Sequence, residues 1–336
     1  MRLAIVGLGF MGATHLKAAW SLPGVELAVV SSKPEKLQGD LSRVSGNLKT
    51  TGSHFDFSKI RTFTSFDDVL ADPAIDAVDL CLPTIHHEPF AVKALQAGKH
   101  VLVEKPMGID RAACDRMLAA AEKSGKLLMA AQVLRFFPAY DSLKDWVDSG
   151  ACGEMRLATF RRRCAAPDWA PWLKDKSQSG GGVFDLLIHD IDMALYLFGN
   201  PVKVSSSGCE DLANGVDVIQ GRLYYKDFSV AIMGGWHPGA YPFSMEYTVV
   251  GTRGCFDYHS LQPHPFFYPV GQAAVEVVHP QPVDGYRAEI EYFLNCARSG
   301  QKPTRCMPID SANAVSLAHL MLESRTREGE NISCQL

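Results

Sequence analysis

Three short stretches of this chain carry residue types that could do acid–base chemistry. Gly98-Lys99-His100-Val101-Leu102-Val103-Glu104-Lys105-Pro106 ends an apolar strand pattern on a carboxylate and a lysine. A lysine at such an edge is ordinarily a surface residue. Beside a fixed positive charge its ammonium would release a proton more readily, because like charge disfavours the protonated form, and it could then give or take a proton as a general acid–base group. Gly180-Gly181-Gly182-Val183-Phe184-Asp185-Leu186-Leu187-Ile188-His189-Asp190-Ile191-Asp192 places Asp185, His189 and Asp192 at i, i+4 and i+7, which is one face of a helix. Two carboxylates and a histidine make a poor core and a good site. Read more plainly, Asp185 is a helix N-cap and His189 a hydrogen-bonded polar residue. A metal site is a further alternative, although no third histidine or cysteine keeps regular spacing with them, so none is expected. Pro83-Thr84-Ile85-His86-His87 closes another apolar strand, at the carboxyl edge where open α/β sheets take their ligands.

What would place such a charge near Lys105 is the opening run Leu3-Ala4-Ile5-Val6-Gly7-Leu8-Gly9-Phe10-Met11-Gly12. Its G-x-G-x-x-G follows a strand and opens a helix. Gly7 permits the tight turn, Gly9 lets the backbone approach a pyrophosphate, and Gly12 lets the helix pack close to the sheet. The helix N-terminus then favours the phosphate charge, and the oxidised nicotinamide of a dinucleotide held there is the positive charge that Lys105 would meet. The alternative is an ordinary glycine-rich βα turn. Cofactor contacts are expected from Gly7, Gly9, Phe10, Met11 and Gly12, from Leu82, Pro83 and His87, and from Glu104 and Lys105. After the second strand stand Ser31, Ser32 and Lys33. An acid there would bind the ribose 2′-hydroxyl and repel a 2′-phosphate. Two hydroxyls and a cation instead predict NADP(H) over NAD(H), with Glu35 close by.

These residues must be carried by a chain of 336 residues, long enough for two domains, with 47% apolar and 21% charged residues and a formal net charge of −4. The densest basic cluster, Arg161-Arg162-Arg163, is too small for a nucleic-acid footprint. Nine scattered cysteines include no C-x-x-C pair, which points to free thiols in a reducing cytoplasm. Arg2 and the apolar run behind it mimic a signal peptide, but cleavage would remove the first strand and the glycine turn. No apolar run reaches membrane-helix length.

Alternating strand and helix patterns fill the first part: strands at 3–6, 26–30, 76–82, 101–103 and 127–131, helices at 11–21, 66–71, 87–97 and 110–124. That order predicts a doubly wound parallel sheet. Residues 39–62 are polar and read as a partly mobile surface excursion. A helix over 138–149 leads into alternating segments from 154 to 280, which predict an antiparallel sheet, with a helix at 188–198 inside it and helices at 286–299 and 308–326 after it. The expected domains are 1–130, dinucleotide-binding, and 131–336, for substrate and oligomer contacts, with the last helices packing back on the first. Met245, Tyr247 and Val249, with Ile219 and Leu223, are expected to leave one sheet face apolar and open, and hence to make a homodimer or homotetramer.

Taken in order, these stretches resemble the glucose–fructose oxidoreductase/inositol dehydrogenase (Gfo/Idh/MocA) family. The resemblance rests on Gly7 to Gly12, on Ala97-Gly98-Lys99-His100-Val101 through Glu104-Lys105-Pro106, on Arg135-Phe136-Phe137-Pro138, on Gly180 through Asp185, His189 and Asp192, and on the helix from Ala314 to Arg325. It spans essentially the whole chain, with 39–62 as the main unmatched part. It implies an N-terminal Rossmann domain and a C-terminal α/β domain with a large, mostly antiparallel open-faced sheet that commonly forms the oligomer contact. It also implies a catalytic lysine at Lys105 and a site aspartate and histidine at Asp185 and His189. Where the family often has Asn after the proline of the second stretch, Thr84 stands here. The implied activity is NAD(P)-dependent hydride transfer on a sugar, polyol or inositol-like alcohol. Arg135, Arg162, Trp172 and His237 are candidates for substrate contact, beside Trp169 and Trp236. Relatives also include redox-assisted glycosidases and cofactor-binding sensors without turnover. A pure binder needs no proton-transfer set, so Lys105, Asp185 and His189 argue for an enzyme.

Overall fold

The computed structural model describes residues 1–46, 54–279 and 283–336. They form two compact units, one of residues 1–133 with 284–312, the other of 134–283 with 313–336. Residues 284–312, which include the first of the two C-terminal helices, thus belong with the first unit.

In the first unit six strands, β1 (Arg2–Val6), β2 (Glu26–Val30), β3 (Arg61–Phe63), β4 (Ala77–Leu80), β5 (His100–Glu104) and β6 (Leu128–Ala131), pair in parallel in the order β3-β2-β1-β4-β5-β6. Leu3, Ala4 and Ile5, like Val101, Leu102 and Val103, are fully buried, because crossover helices cover both faces of a parallel sheet and leave no side of the strand for water. The helices are α1 (Phe10–Ala19), α2 (Phe66–Ala71), α3 (His87–Gln96) and α4 (Arg111–Ser124). Asp110 starts α4 by accepting from the Ala113 N–H at 2.7 Å. In the polar excursion Leu41 and Phe57 are buried and Asp40 bridges His54. The excursion ends in β3, which the sequence reading passed over because Arg61-Thr62-Phe63 is too short and polar to show a period. Residues 47–53 of that excursion lie outside the described residues.

The second unit opens with α5 (Pro138–Asp148) and holds β7 (Met155–Ala165), α6 (Lys176–Ser179) and α7 (Gly182–Phe198). Then follow β8 (Lys203–Asp211), β9 (Val216–Tyr224), β10 (Ser229–His237), β11 (Ser244–Gly251), β12 (Gly254–His259), β13 (Phe266–Pro269) and β14 (Val275–Glu276). The helix α8 (Gly285–Ser299) belongs to the first unit, where it packs on α1; α9 (Pro308–Thr326) and β15 (Ile332–Ser333) complete the chain. The nine strands pair in the order β14-β13-β12-β11-β7-β10-β9-β8-β15, antiparallel except for β7 with β10. Of the segments read from 154 to 280, residue 280 lies outside the described residues.

Alternation marks the two faces of this sheet, but the apolar face is not the open one. Tyr247, Val249, Ile219 and Leu223 are buried with Ala158, Phe160, Val230 and Ile232, and α7 packs across β7, β9 and β10. The Tyr247 hydroxyl donates to the Ala139 carbonyl at 2.6 Å. The opposite face carries Arg161 and Arg163, both paired to Glu246, together with Thr248, which donates to Asp257. The expectation of an open face built from Met245, Tyr247, Val249, Ile219 and Leu223 is corrected accordingly: the last four side chains are core, and Met245, half-buried, lies against Arg162 on the same side.

Candidate active site

The glycine turn meets the demands of a dinucleotide loop one residue at a time. Gly7 has φ +92, and a Cβ there would stand 2.5 Å from the Cys81 carbonyl oxygen. At Gly12 a Cβ would stand 1.8 Å from the Gly7 carbonyl oxygen. The third glycine therefore lets α1 start against the turn itself, rather than chiefly against the sheet. Where a Gly9 Cβ would be, nothing lies within 4 Å among the described residues. Gly9 is the N-cap of α1 and supplies no side-chain cap, and the first turn of the helix holds no acid. The N–H groups of Phe10, Met11 and Gly12 thus face the open side of the turn with the positive end of the helix dipole behind them, which fits a pyrophosphate. The turn lies at the carboxyl edge between β1 and β4, where the strand order reverses.

After β2, Ser31 is buried and its hydroxyl is engaged with the Lys33 N–H at 3.1 Å and the Lys33 carbonyl at 3.2 Å. Its hydroxyl is thus turned into its own loop, while Ser32 and Lys33 are exposed. Lys36, which the sequence reading missed, comes from the following helical turn and donates to the Leu8 carbonyl at 2.6 Å. Burial, with Lys33 adding to it, lowers its pKa.

At the end of β5, Lys105 follows Glu104, and the Lys105–Pro106 peptide is cis. The Lys105 N–H donates to Glu104 Oε2 at 2.9 Å. Glu104 Oε1 lies 3.0 Å from His15 Nε2, and His15 Nδ1 lies 2.8 Å from Asp79 Oδ2. Burial disfavours the Glu104 charge, but His15 and Lys105 outweigh it and lower its pKa. His87 is buried with Nδ1 2.8 Å from the Pro106 carbonyl oxygen and Nε2 2.8 Å from the Leu82 carbonyl oxygen. Both ring nitrogens are occupied by main chain, so His87 ties the loop after β4 to the loop after β5 instead of offering its ring to a cofactor. Burial pulls its pKa down, against both carbonyl contacts. Leu82 and Pro83 stay half-buried at that edge.

In the second unit α7 begins at Gly182, not at 188. Its early start is made by a tertiary cap: the Asp217 carboxylate on β9 accepts from the Val183 N–H at 2.9 Å and from Arg325 Nη1 at 2.6 Å. Asp185 consequently sits inside the first turn and is not the N-cap, which is Gly181. Asp185 and His189 are half-buried. Asp192, further along the same face, is buried and held by Arg135 through two bonds of 2.8 and 2.7 Å. Arg162 grips the buried Asp190 in the same way, at 2.8 and 3.0 Å. Burial opposes the Arg162 charge, and Asp190 outweighs it, so its pKa is raised. The placing of Arg135 and Arg162 among substrate contacts is corrected here: both guanidiniums are buried and committed to carboxylates of α7. Trp172 packs on the Cys164, Leu186 and Trp236 cluster. His237 stacks on Tyr241 at 4.5 Å between ring centres.

A six-stranded sheet with this strand order and glycine turn, carrying an acid–lysine pair at a strand end, defines a dinucleotide-binding oxidoreductase. Residues 1–132 match the family model described as "Oxidoreductase family, NAD-binding Rossmann fold", and residues 140–257 match the "GFO/IDH/MocA C-terminal domain". The chain belongs to the GFO/IDH/MocA family. It is similar to the scyllo-inositol 2-dehydrogenase (NAD(+)) of Bacillus subtilis, 29% identical over 90% of this chain and 88% of that one. It is similar too to the trans-1,2-dihydrobenzene-1,2-diol dehydrogenase of Mus musculus, 28% identical over 98% of this chain and 97% of that one. Among solved structures, the aldose-aldose oxidoreductase from Caulobacter crescentus, complexed with glycerol, superposes with a TM-score of 0.85 at 24% identity, over 99% of each chain.

Proposed function

We propose that this chain is an NAD(P)-dependent dehydrogenase or reductase acting on the CH–OH carbon of a sugar, polyol or inositol-like alcohol. The observation that carries the reading is the glycine turn: an uncapped, acid-free helix start at the strand-order reversal, open at Gly9, in the same sheet edge that ends in Glu104 and Lys105. Relatives named for an inositol, a diol and aldoses support the substrate class. When bound, the nicotinamide supplies the hydride acceptor or donor. Lys105 Nζ takes the hydroxyl proton during oxidation and returns it during reduction. His189 is the alternative proton-transfer group, and Asp185, one turn before it on α7, would orient and charge-stabilise it. With both arginines committed to ion pairs, Trp172 and His237 remain as side chains for the mixed apolar and hydroxyl faces of such a substrate.

For the cofactor, the exposed Ser32 and Lys33, with Lys36 beside them on the glycine turn and no acid at 31–33, favour NADP(H). We further infer a reducing cytoplasm from cysteines that form no disulfide, and a homodimer or homotetramer from the family resemblance alone, since the apolar sheet face is core. The decisive experiment is a panel of sugars and polyols, oxidised and reduced, screened with both cofactors by the absorbance of reduced nicotinamide. Turnover of none, with either cofactor bound, moves the sensor reading ahead. Dissociation constants for NADPH and NADH test the preference, which equal or tighter NADH binding refutes. Ser32→Asp is expected to weaken NADPH selectively.

A further inference from the structure

The first unit buries a titratable chain that the reaction as described does not use. His15 lies three residues after Gly12, on the inner side of α1, and is fully buried. Each of its ring nitrogens faces a carboxylate from a different strand end: Asp79 Oδ2 at 2.8 Å from Nδ1 and Glu104 Oε1 at 3.0 Å from Nε2. The contact to Asp79 is an aligned hydrogen bond, and the one to Glu104 is an ion pair off the N–H axis. Both carboxylates are themselves buried. An ionised carboxylate only accepts, so a neutral imidazole with its proton on Nδ1 toward Asp79 would leave a bare Nε2 3.0 Å from the Glu104 anion. A protonated ring avoids this and supplies the cation that two buried carboxylates require. Burial opposes that charge; Asp79, ionised and hydrogen-bonded to the ring, outweighs it and holds the ring well above its ordinary pKa.

The other titratable groups around the ring do not compete for this role. Cys81 Sγ lies 3.6 Å from His15 Nδ1 and 3.6 Å from Asp79 Oδ1, and burial pushes its thiol far up, so it stays neutral. From α8, Tyr286 stands with its ring centre 6.0 Å from that of His15, and burial likewise keeps its phenol protonated. Glu289, on the same helix, acts on Tyr286. Lys105 reaches the chain through its main-chain N–H on Glu104 Oε2.

We propose that His15 is a positioning residue: its imidazolium, held between Asp79 and Glu104, fixes the Glu104 carboxylate in the orientation from which Oε2 anchors the Lys105 N–H. The helix that begins at the cofactor turn thereby sets the place of the proton-transferring lysine. Misplacing a reacting group by about an ångström is enough to slow a reaction about 10²-fold, so such an anchor matters to turnover. The inference rests on the reading of Lys105 as the proton-transfer group, but its test does not depend on that reading.

The test is heteronuclear NMR and amide exchange on the full chain. In the wild type at pH 8, His15 should show both ring N–H protons with imidazolium nitrogen shifts. In His15→Gln, which keeps the size and one donor but not the charge, the Lys105 amide should shift and exchange at least about tenfold faster. The amides of Val101 to Val103 should keep their protection. A singly protonated His15 ring at pH 8, or a folded His15→Gln with unchanged Lys105 exchange, overturns the proposal. Should His15→Gln fail to fold, the wild-type ring measurement still decides it. Lys105→Met with undiminished turnover would overturn the functional reading and leave these two results untouched.

Discussion

Lys105 is the residue on which the catalytic reading turns. If its amine moves the proton, Lys105→Met should lower kcat by about 10²–10⁴-fold, the usual range for a general acid–base group. Cofactor affinity should hardly change, because the phosphates are assigned to the glycine turn. Lys105→Arg should not rescue, since a guanidinium stays protonated and its planar fork does not replace a point charge. Steady-state kinetics with parallel cofactor titration checks this, and near-normal turnover of Lys105→Met removes the mechanism. Gly12→Ala separates binding from chemistry. Its Cβ would stand 1.8 Å from the Gly7 carbonyl oxygen, a main-chain atom with no side chain to swing away. Loss of NADPH and NADH binding is the expected outcome, read by fluorescence titration.

At the scale of elements, α7 depends on a strand distant in sequence for its first turn. Asp217 satisfies the Val183 N–H and pairs with the nearly buried Arg325. Asp217→Ala removes the cap, worth about 1 kcal/mol, and takes from Arg325 one of its two carboxylates, Glu210 being the other. Breaking a buried pair costs about 3–5 kcal/mol; with Glu210 still present the total should fall toward the lower figure. Urea unfolding gives the number. Arg325→Ala on the same background should add far less than it does alone, because the two side chains share one interaction. Additive losses would show that the cap and the ion pair act separately.

At the scale of the whole molecule, alkaline pH should destabilise the protein. Burial raises the pKa of Tyr140, Tyr225, Tyr247 and Tyr286, and that of Cys114 to about 12. The native state keeps these protons, whereas the unfolded chain releases them above about pH 8.5 for a thiol and about 10 for a phenol. Above those values the unfolded state binds fewer protons than the native one, so the unfolding free energy falls as pH rises. Urea midpoints at pH 7.5 and pH 10, with reductant present, should drop; equal midpoints would contradict the burial. Self-association should also follow charge. The outward face of the large sheet presents Arg161, Arg163 and Glu246, together with the exposed Leu157 and Tyr268. A homo-oligomer joined through it should weaken between low and high salt by light scattering. A particle size indifferent to salt would assign the contact to another surface.

Local regularities were legible in the sequence. The glycine spacing, the strand that precedes it and the apolar periods are properties of neighbouring residues. The element starts at 66, 87, 138 and 308 were accordingly read without the structure, and so was the shared helical face of Asp185 and His189. Partnership was not legible, because it is set by chain segments that meet only after folding. Asp192 looked like a site residue until Arg135 was found closing on it. The triple arginine resolved into a buried Arg162 and two outward neighbours, because period-2 alternation sends them to opposite faces. Alternation told that one face of the large sheet is apolar but not which face α7 covers. His15, Lys36 and Asp217 carried no motif; the only hint was a histidine on the inner side of α1, three residues beyond Gly12. The sequence by itself determined the family, the dinucleotide turn and the lysine at the strand end, since each is a short-range pattern. The tertiary structure alone decided which charges are already satisfied and which remain for chemistry. That depends on which long-range partner reaches a buried group, and a buried charge cannot be left without one.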